Sequence, residues 1–74
     1  MHGLLELAHA KMPFGKYRDR HLTDLPEAYL IWFRQRGYPE GKLGRMLEAM
    51  YEIKLNGLEK MVIRLRNAGS IDSR

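Results

Sequence analysis

The sequence predicts an α+β domain that is mostly helical: a short N-terminal helix, a small two-stranded β-hairpin, then two to three helices. Three observations lead there. Apolar residues recur at helical spacing in the second half, a basic Pro/Gly-containing loop interrupts the pattern between Lys11 and Leu22, and Asp24-Leu25-Pro26-Glu27 has the marks of a helix start.

In chain order, residues His2 to Ala10 place Leu4, Leu5 and Ala8 at helical spacing with Leu7 beside them, so a helix of two turns is expected. Alone it would not be stable and must dock on the rest of the domain or on a second copy. Pro13 ends it by disfavouring the α conformation at Met12. Residues Phe14 to Leu22 then predict a tight hairpin, with Met12-Pro13-Phe14 paired against Arg20-His21-Leu22. Gly15 supplies backbone freedom there, and Asp19 is a residue that tolerates the left-handed region.

Asp24-Leu25-Pro26-Glu27 reads as an N-cap acid, a proline in the first turn and an acid three residues after the cap. A helix from Asp24 to Arg36 follows, with Leu25, Tyr29, Trp32 and Phe33 on its buried face, Arg34 and Arg36 in its last turn, and Gly37 stopping it. After the connector Tyr38-Pro39-Glu40-Gly41, the positions Leu43, Met46, Leu47, Met50, Tyr51 and Leu55 define a strong helix. Asn56-Gly57 suits a hairpin turn, but Leu58, Met61, Val62 and Leu65 keep the helical phase beyond it. Helix is therefore expected on both sides, kinked or interrupted at Asn56-Gly57 and ending near Asn67. Residues 1–67 make one small domain and 68–74 a flexible tail.

A chain of 74 residues buries little core, so its stability is thin without a staple. It has no cysteine, which excludes disulfides and thiolate metal sites, suits a reducing cytoplasm and leaves oligomerisation as the available support. The longest apolar run, Tyr29 to Phe33, is far short of a membrane span, and the start lacks the basic and apolar regions of a signal peptide, so a soluble cytoplasmic protein is expected. His2, His9 and His21 are too scattered for a metal site, no cofactor motif is present, and Asp24 and Glu27 already have structural roles as cap residues. No catalytic constellation is visible, so an enzyme is not expected.

Pro13-Phe14-Gly15-Lys16-Tyr17, with Leu22, Asp24, Pro26, Tyr29, Leu30 and Trp32, resembles a bacterial family of unknown function described as putative quorum-sensing-regulated virulence factor. Gly37, Leu43-Gly44 and the run from Tyr51 to Leu58 resemble the same family's second half, so the likeness covers nearly the whole chain. The first half also resembles the small C-terminal module of exodeoxyribonuclease X-like proteins, which implies a link to nucleic-acid enzymes. The family pattern continues after the tyrosine with a basic residue and a glycine, where this chain has Arg18 and Asp19.

The net charge of +4 suits an anionic partner. Lys16, Arg18 and Arg20 would contact phosphates, Tyr17 would stack on a base, and Arg34 and Arg36 would extend the patch. The sequence thus predicts a nucleic-acid-binding module, or an accessory to a nucleic-acid enzyme. Against this, Phe14 and Tyr17 can equally pin the loop to the helices while its charges merely solvate the outer face. The alternative is a protein-interaction module that self-associates through Leu4, Leu5, Met46, Met50 and Met61. Trp32, Tyr29 and Phe33 share helical spacing and read as core before they read as a ligand platform.

Overall fold

The computed structural model describes residues 3–72, with side chains for residues 3–68. The fold is helical: α1 spans Leu4–His9, a 3-10 turn Leu22–Asp24, α2 Glu27–Arg36, α3 Lys42–Leu55 and α4 Glu59–Asp72. α1 packs on α4, α2 packs on α3, and the 3-10 turn lies where α1, α3 and α4 meet. The core is drawn from every element, with Leu7 of α1, Leu22 of the turn, Leu30 of α2, Leu47 and Met50 of α3 and Val62 of α4 all buried.

The expected β-hairpin is absent, and the α+β assignment gives way to an all-helical one. Among the described residues there is no strand, only an isolated antiparallel bridge between Lys11 and His21. The Met12 N–H donates to the Arg20 carbonyl at 2.8 Å, and the Met12 carbonyl accepts from the Asp19 N–H, also at 2.8 Å. Pairing stops there because residues 15–20 coil back through tight turns, Arg18 N–H to Gly15 O and Arg20 N–H to Tyr17 O, so that the Arg20 N–H is spent within the loop and does not return to the Met12 carbonyl. Asp19 takes the left-handed conformation at φ 69°, the one the turn requires of it.

Helix α2 begins at Glu27, not at Asp24, and Asp24 is not its cap. Pro26 stands at the N-cap with no side-chain capping bond, and its carbonyl accepts from the N–H groups of Tyr29 and Leu30. The reason lies in the sequence itself. A cap at Asp24 would require Leu25 to be helical immediately before a proline, and the proline ring disfavours that conformation. Leu25 is extended instead, at ψ 138°, and its side chain is buried beneath the turn.

The interruption between α3 and α4 has the geometry of a Schellman ending. Leu58 N–H donates to Ile53 O at 2.9 Å and Gly57 N–H to Lys54 O at 3.0 Å, with Gly57 at φ 72°. The helical alternative at Asn56-Gly57 is the one observed. α4 continues to Asp72, past the end expected near Asn67; residues 73–74 and the expected start at His2 lie outside the described residues.

In α1 the buried side chains are Leu7 and Ala8, whereas Leu4 and Leu5 are exposed. Gly44 is buried on α3 against the connector, where an added Cβ would come 1.7 Å from the Pro39 carbonyl oxygen. Only glycine lets the helix pass that backbone.

Candidate functional site

On α2, Leu30 and Phe33 face the core. Tyr29, Trp32 and Arg36 follow one another at i, i+3 and i+7, forming a stripe beside that face. Trp32, expected to be buried, is therefore 46% exposed. The Tyr29 and Trp32 rings are parallel within 5° with centroids 6.3 Å apart, and Phe33 meets both edge-on at 5.1 Å. At the end of the stripe the Arg36 guanidinium lies over the indole, 4.8 Å from its centroid. Such cation–π contacts contribute about 0.5–1 kcal/mol at exposed sites.

The loop after α1 closes the other side. Tyr17 is half-buried and meets Tyr29 edge-on, with centroids 4.6 Å apart and planes at 60°. Its position is thus fixed by packing. Gly15, at φ 82°, passes so close to Tyr29 that an added Cβ would touch the phenolic oxygen at 3.4 Å. Lys16 lies 5.5 Å from the Tyr17 ring centroid, and Phe14 projects from the loop, 46% exposed. Between loop and helix runs an open groove of about 570 Å³ lined by Phe14, Lys16, Tyr17, Pro26, Tyr29 and Trp32. Its volume is that of a small-ligand site and its walls are aromatic, with one cation, Lys16, in its lining.

Of the six residues singled out by sequence, Lys16 and Tyr17 line this groove, and Arg36 lies outside its lining, against Trp32. Arg34 points elsewhere. Two residues apart on a helix means a rotation of about 200°, and Arg34 lies over Tyr51 of α3 at 5.3 Å. Arg18 and Arg20 are exposed on the loop and do not line the groove. The Arg18 Nε stands 4.0 Å from the Asp19 carboxylate, both side chains largely in water, so the pair contributes little. Phe14 and Trp32, expected as loop anchor and core, are both 46% exposed.

A second cluster holds the scaffold in place. Thr23 is 3% exposed. Its carbonyl accepts from Lys54 Nζ at 2.9 Å and its hydroxyl from Arg66 at 2.8 Å, so α3 and α4 both grip the 3-10 turn. Arg66 also reaches the Asp24 carboxylate at 3.4 Å. His21 Nδ1 is 3.9 Å from the same carboxylate, yet burial, then Arg66 and Lys11, hold the imidazole below its ordinary pKa of 6.5 against the opposing pull of Asp24. The neutral imidazole is therefore favoured, which weakens the charge attraction in its contact with Asp24. Among the described residues no group of three His, Cys, Asp or Glu side chains is placed to hold a metal ion.

With this geometry in view, comparison with known proteins defines the class. Residues 1–65 match the family described as putative quorum-sensing-regulated virulence factor, and the chain belongs to it. Within that class the chain is 48% identical over 64 residues to the uncharacterized protein YpeB of Escherichia coli K12, and equally to YpeB of Escherichia coli O157:H7; the match covers 85% of this chain and 89% of each relative. No solved structure matches the chain significantly.

Proposed function

We propose that the chain is a small nucleic-acid-binding module, alone or as accessory to a nucleic-acid enzyme, and that the groove between the loop and α2 is its binding surface. The observation that carries this reading is the pairing of two half-exposed rings, Phe14 and Trp32, with Lys16 in the groove lining and Arg36 against Trp32 beside it. Stacking of a base on an aromatic side chain contributes about 1–3 kcal/mol, and cations supply phosphate contacts without demanding a particular sequence. A chain that carries +4 and no cysteine suits such a role in the cytoplasm. Among the described residues no helix is long and apolar enough to cross a membrane.

Titration of labelled DNA and RNA oligonucleotides tests it. Binding that weakens with salt supports the reading; no binding below about 100 μM at 50 mM salt rejects it.

A second reading is favoured by a different surface. Leu4 and Leu58 are exposed along an apolar groove of about 550 Å³ between α1 and the α3–α4 junction; of the other residues expected on a self-association surface, Leu5 and Met61 are exposed, whereas Met46 and Met50 are buried in the core. In that reading the module self-associates or holds a partner protein there. A melting temperature that rises with protein concentration supports it, and one that stays flat with a monomer in sedimentation rejects it.

A further inference from the structure

Resting on the nucleic-acid reading, we infer that the groove takes an unpaired strand, and that Arg36 holds the place of a base on Trp32 until the strand arrives, then moves to a phosphate. The free protein has the indole covered on one face by a guanidinium 4.8 Å from its centroid. A guanidinium is planar and weakly hydrated, so it covers a ring much as a base does, but it does so through a contact weaker than base stacking. A base that displaces it gains the stack. The displaced guanidinium, at the last residue of α2 and exposed, gains a charge-assisted bond to the phosphate beside that base.

Across the groove, Phe14 makes no ring contact among the described residues and offers a second platform, whereas Tyr17 is committed edge-on to Tyr29. Both open rings need a base face. In a duplex those faces are covered by neighbouring pairs, so the groove selects a single strand. With Lys16 in the groove lining and Arg36 moving from Trp32 to a phosphate, binding there releases about two counterions. That gives a log–log salt slope near −1.4 at about −0.7 per phosphate on a single strand, to which the exposed loop cations Arg18 and Arg20 add.

The test uses the full chain, a fluorescein-labelled thymidine oligonucleotide of about 12 residues, its uridine counterpart and a DNA duplex of the same length. Trp32 is the only tryptophan, so its emission reports the groove directly. The expected result is that at least one single strand quenches Trp32 and binds at least about tenfold tighter than the duplex. Trp32→Leu and Phe14→Leu should each weaken that binding about five- to a hundredfold without changing the salt slope, and Arg36→Gln should flatten the slope by about 0.7. Equal affinity for strand and duplex, or binding that leaves Trp32 emission unchanged in the native chain, overturns the inference and leaves nucleic-acid binding to the loop cations. The emission readout needs no variant and stands even if one fails to fold. Failure of every oligonucleotide to bind rejects the underlying reading as well.

Discussion

The Arg66 guanidinium donates to the Thr23 hydroxyl at 2.8 Å across a separation of 43 residues. That bond ties the middle of α4 to the turn from which α2 departs, and so fixes one wall of the aromatic groove relative to the scaffold.

Thr23→Val keeps the shape of this side chain and removes its acceptor. Because Thr23 is buried and its partner is charged, the substitution is expected to cost about 1–3 kcal/mol. In a domain of this size each kcal/mol lowers the melting temperature by about 4–8 °C, which thermal unfolding resolves.

Asp24→Ala is expected to behave differently. Its carboxylate is 43% exposed and lies 3.4 Å from Arg66, and it caps no helix. Screened by water, the pair is worth at most about 1 kcal/mol. Chemical denaturation should place this variant near the native protein and clearly above Thr23→Val. A loss matching that of Thr23→Val would show that Asp24 serves the turn in some further way.

Gly44→Ala is expected to be the most damaging single methyl in the chain. The added carbon would sit 1.7 Å from backbone Pro39 O, which no side-chain rotation relieves. Overpacking of this kind costs about 1–3 kcal/mol and more when backbone must move. Gly57→Ala is the control: nothing lies within 4 Å of its Cβ, and only φ 72° opposes it, at about 1–2 kcal/mol. The urea midpoint of Gly44→Ala should fall below that of Gly57→Ala.

The pH dependence follows from His21 and Tyr38. Burial, Arg66 and Lys11 lower the His21 pKa in the fold from 6.5, so below pH 6.5 the unfolded chain takes up a proton that the folded chain resists. Stability is then lost as pH falls. Tyr38 is the opposite case. Burial, then Glu48, raises it above 10.0, so stability is present below pH 10 and is lost as pH rises above it. Unfolding free energies measured across pH should decline on both sides, and His21→Gln should flatten the acid limb.

These residues also mark how far the sequence could be read. Local patterns located α1, α3 and the stop at Asn56-Gly57, because periodicity and a left-handed glycine are set within a few residues. The start of α2 was also written locally, but the proline's effect on Leu25 outweighs the capping pattern that Asp24 and Glu27 display. The hairpin failed because residues 15–20 close turns among themselves, Arg20 N–H bonding Tyr17 O within the loop. The grip of Lys54 and Arg66 on Thr23 joins positions 31 and 43 residues apart, and no spacing rule reaches that far. Of the groove, the loop cation Lys16 and Tyr17 were legible from composition, whereas the placing of Phe14, Trp32 and Arg36 depended on which side of α2 meets α3.

Trp32 gives the last prediction. A buried tryptophan cut to alanine costs about 3–5 kcal/mol, but this ring is 46% exposed and flanked by Tyr29 and Arg36. Trp32→Ala should therefore cost well under that range and leave the helices folded by circular dichroism. In the native chain, acrylamide should quench the emission freely. Acrylamide is preferred to iodide because a neutral quencher is not concentrated by Arg36 and Lys16. Arg36→Gln uncovers one face of the indole, so its quenching constant should rise above that of the native chain, while Arg34→Gln, whose guanidinium lies over Tyr51 instead, should leave it unchanged. Weak quenching in the native protein, or an equal response to the two glutamine variants, would place Trp32 in the core and close the groove.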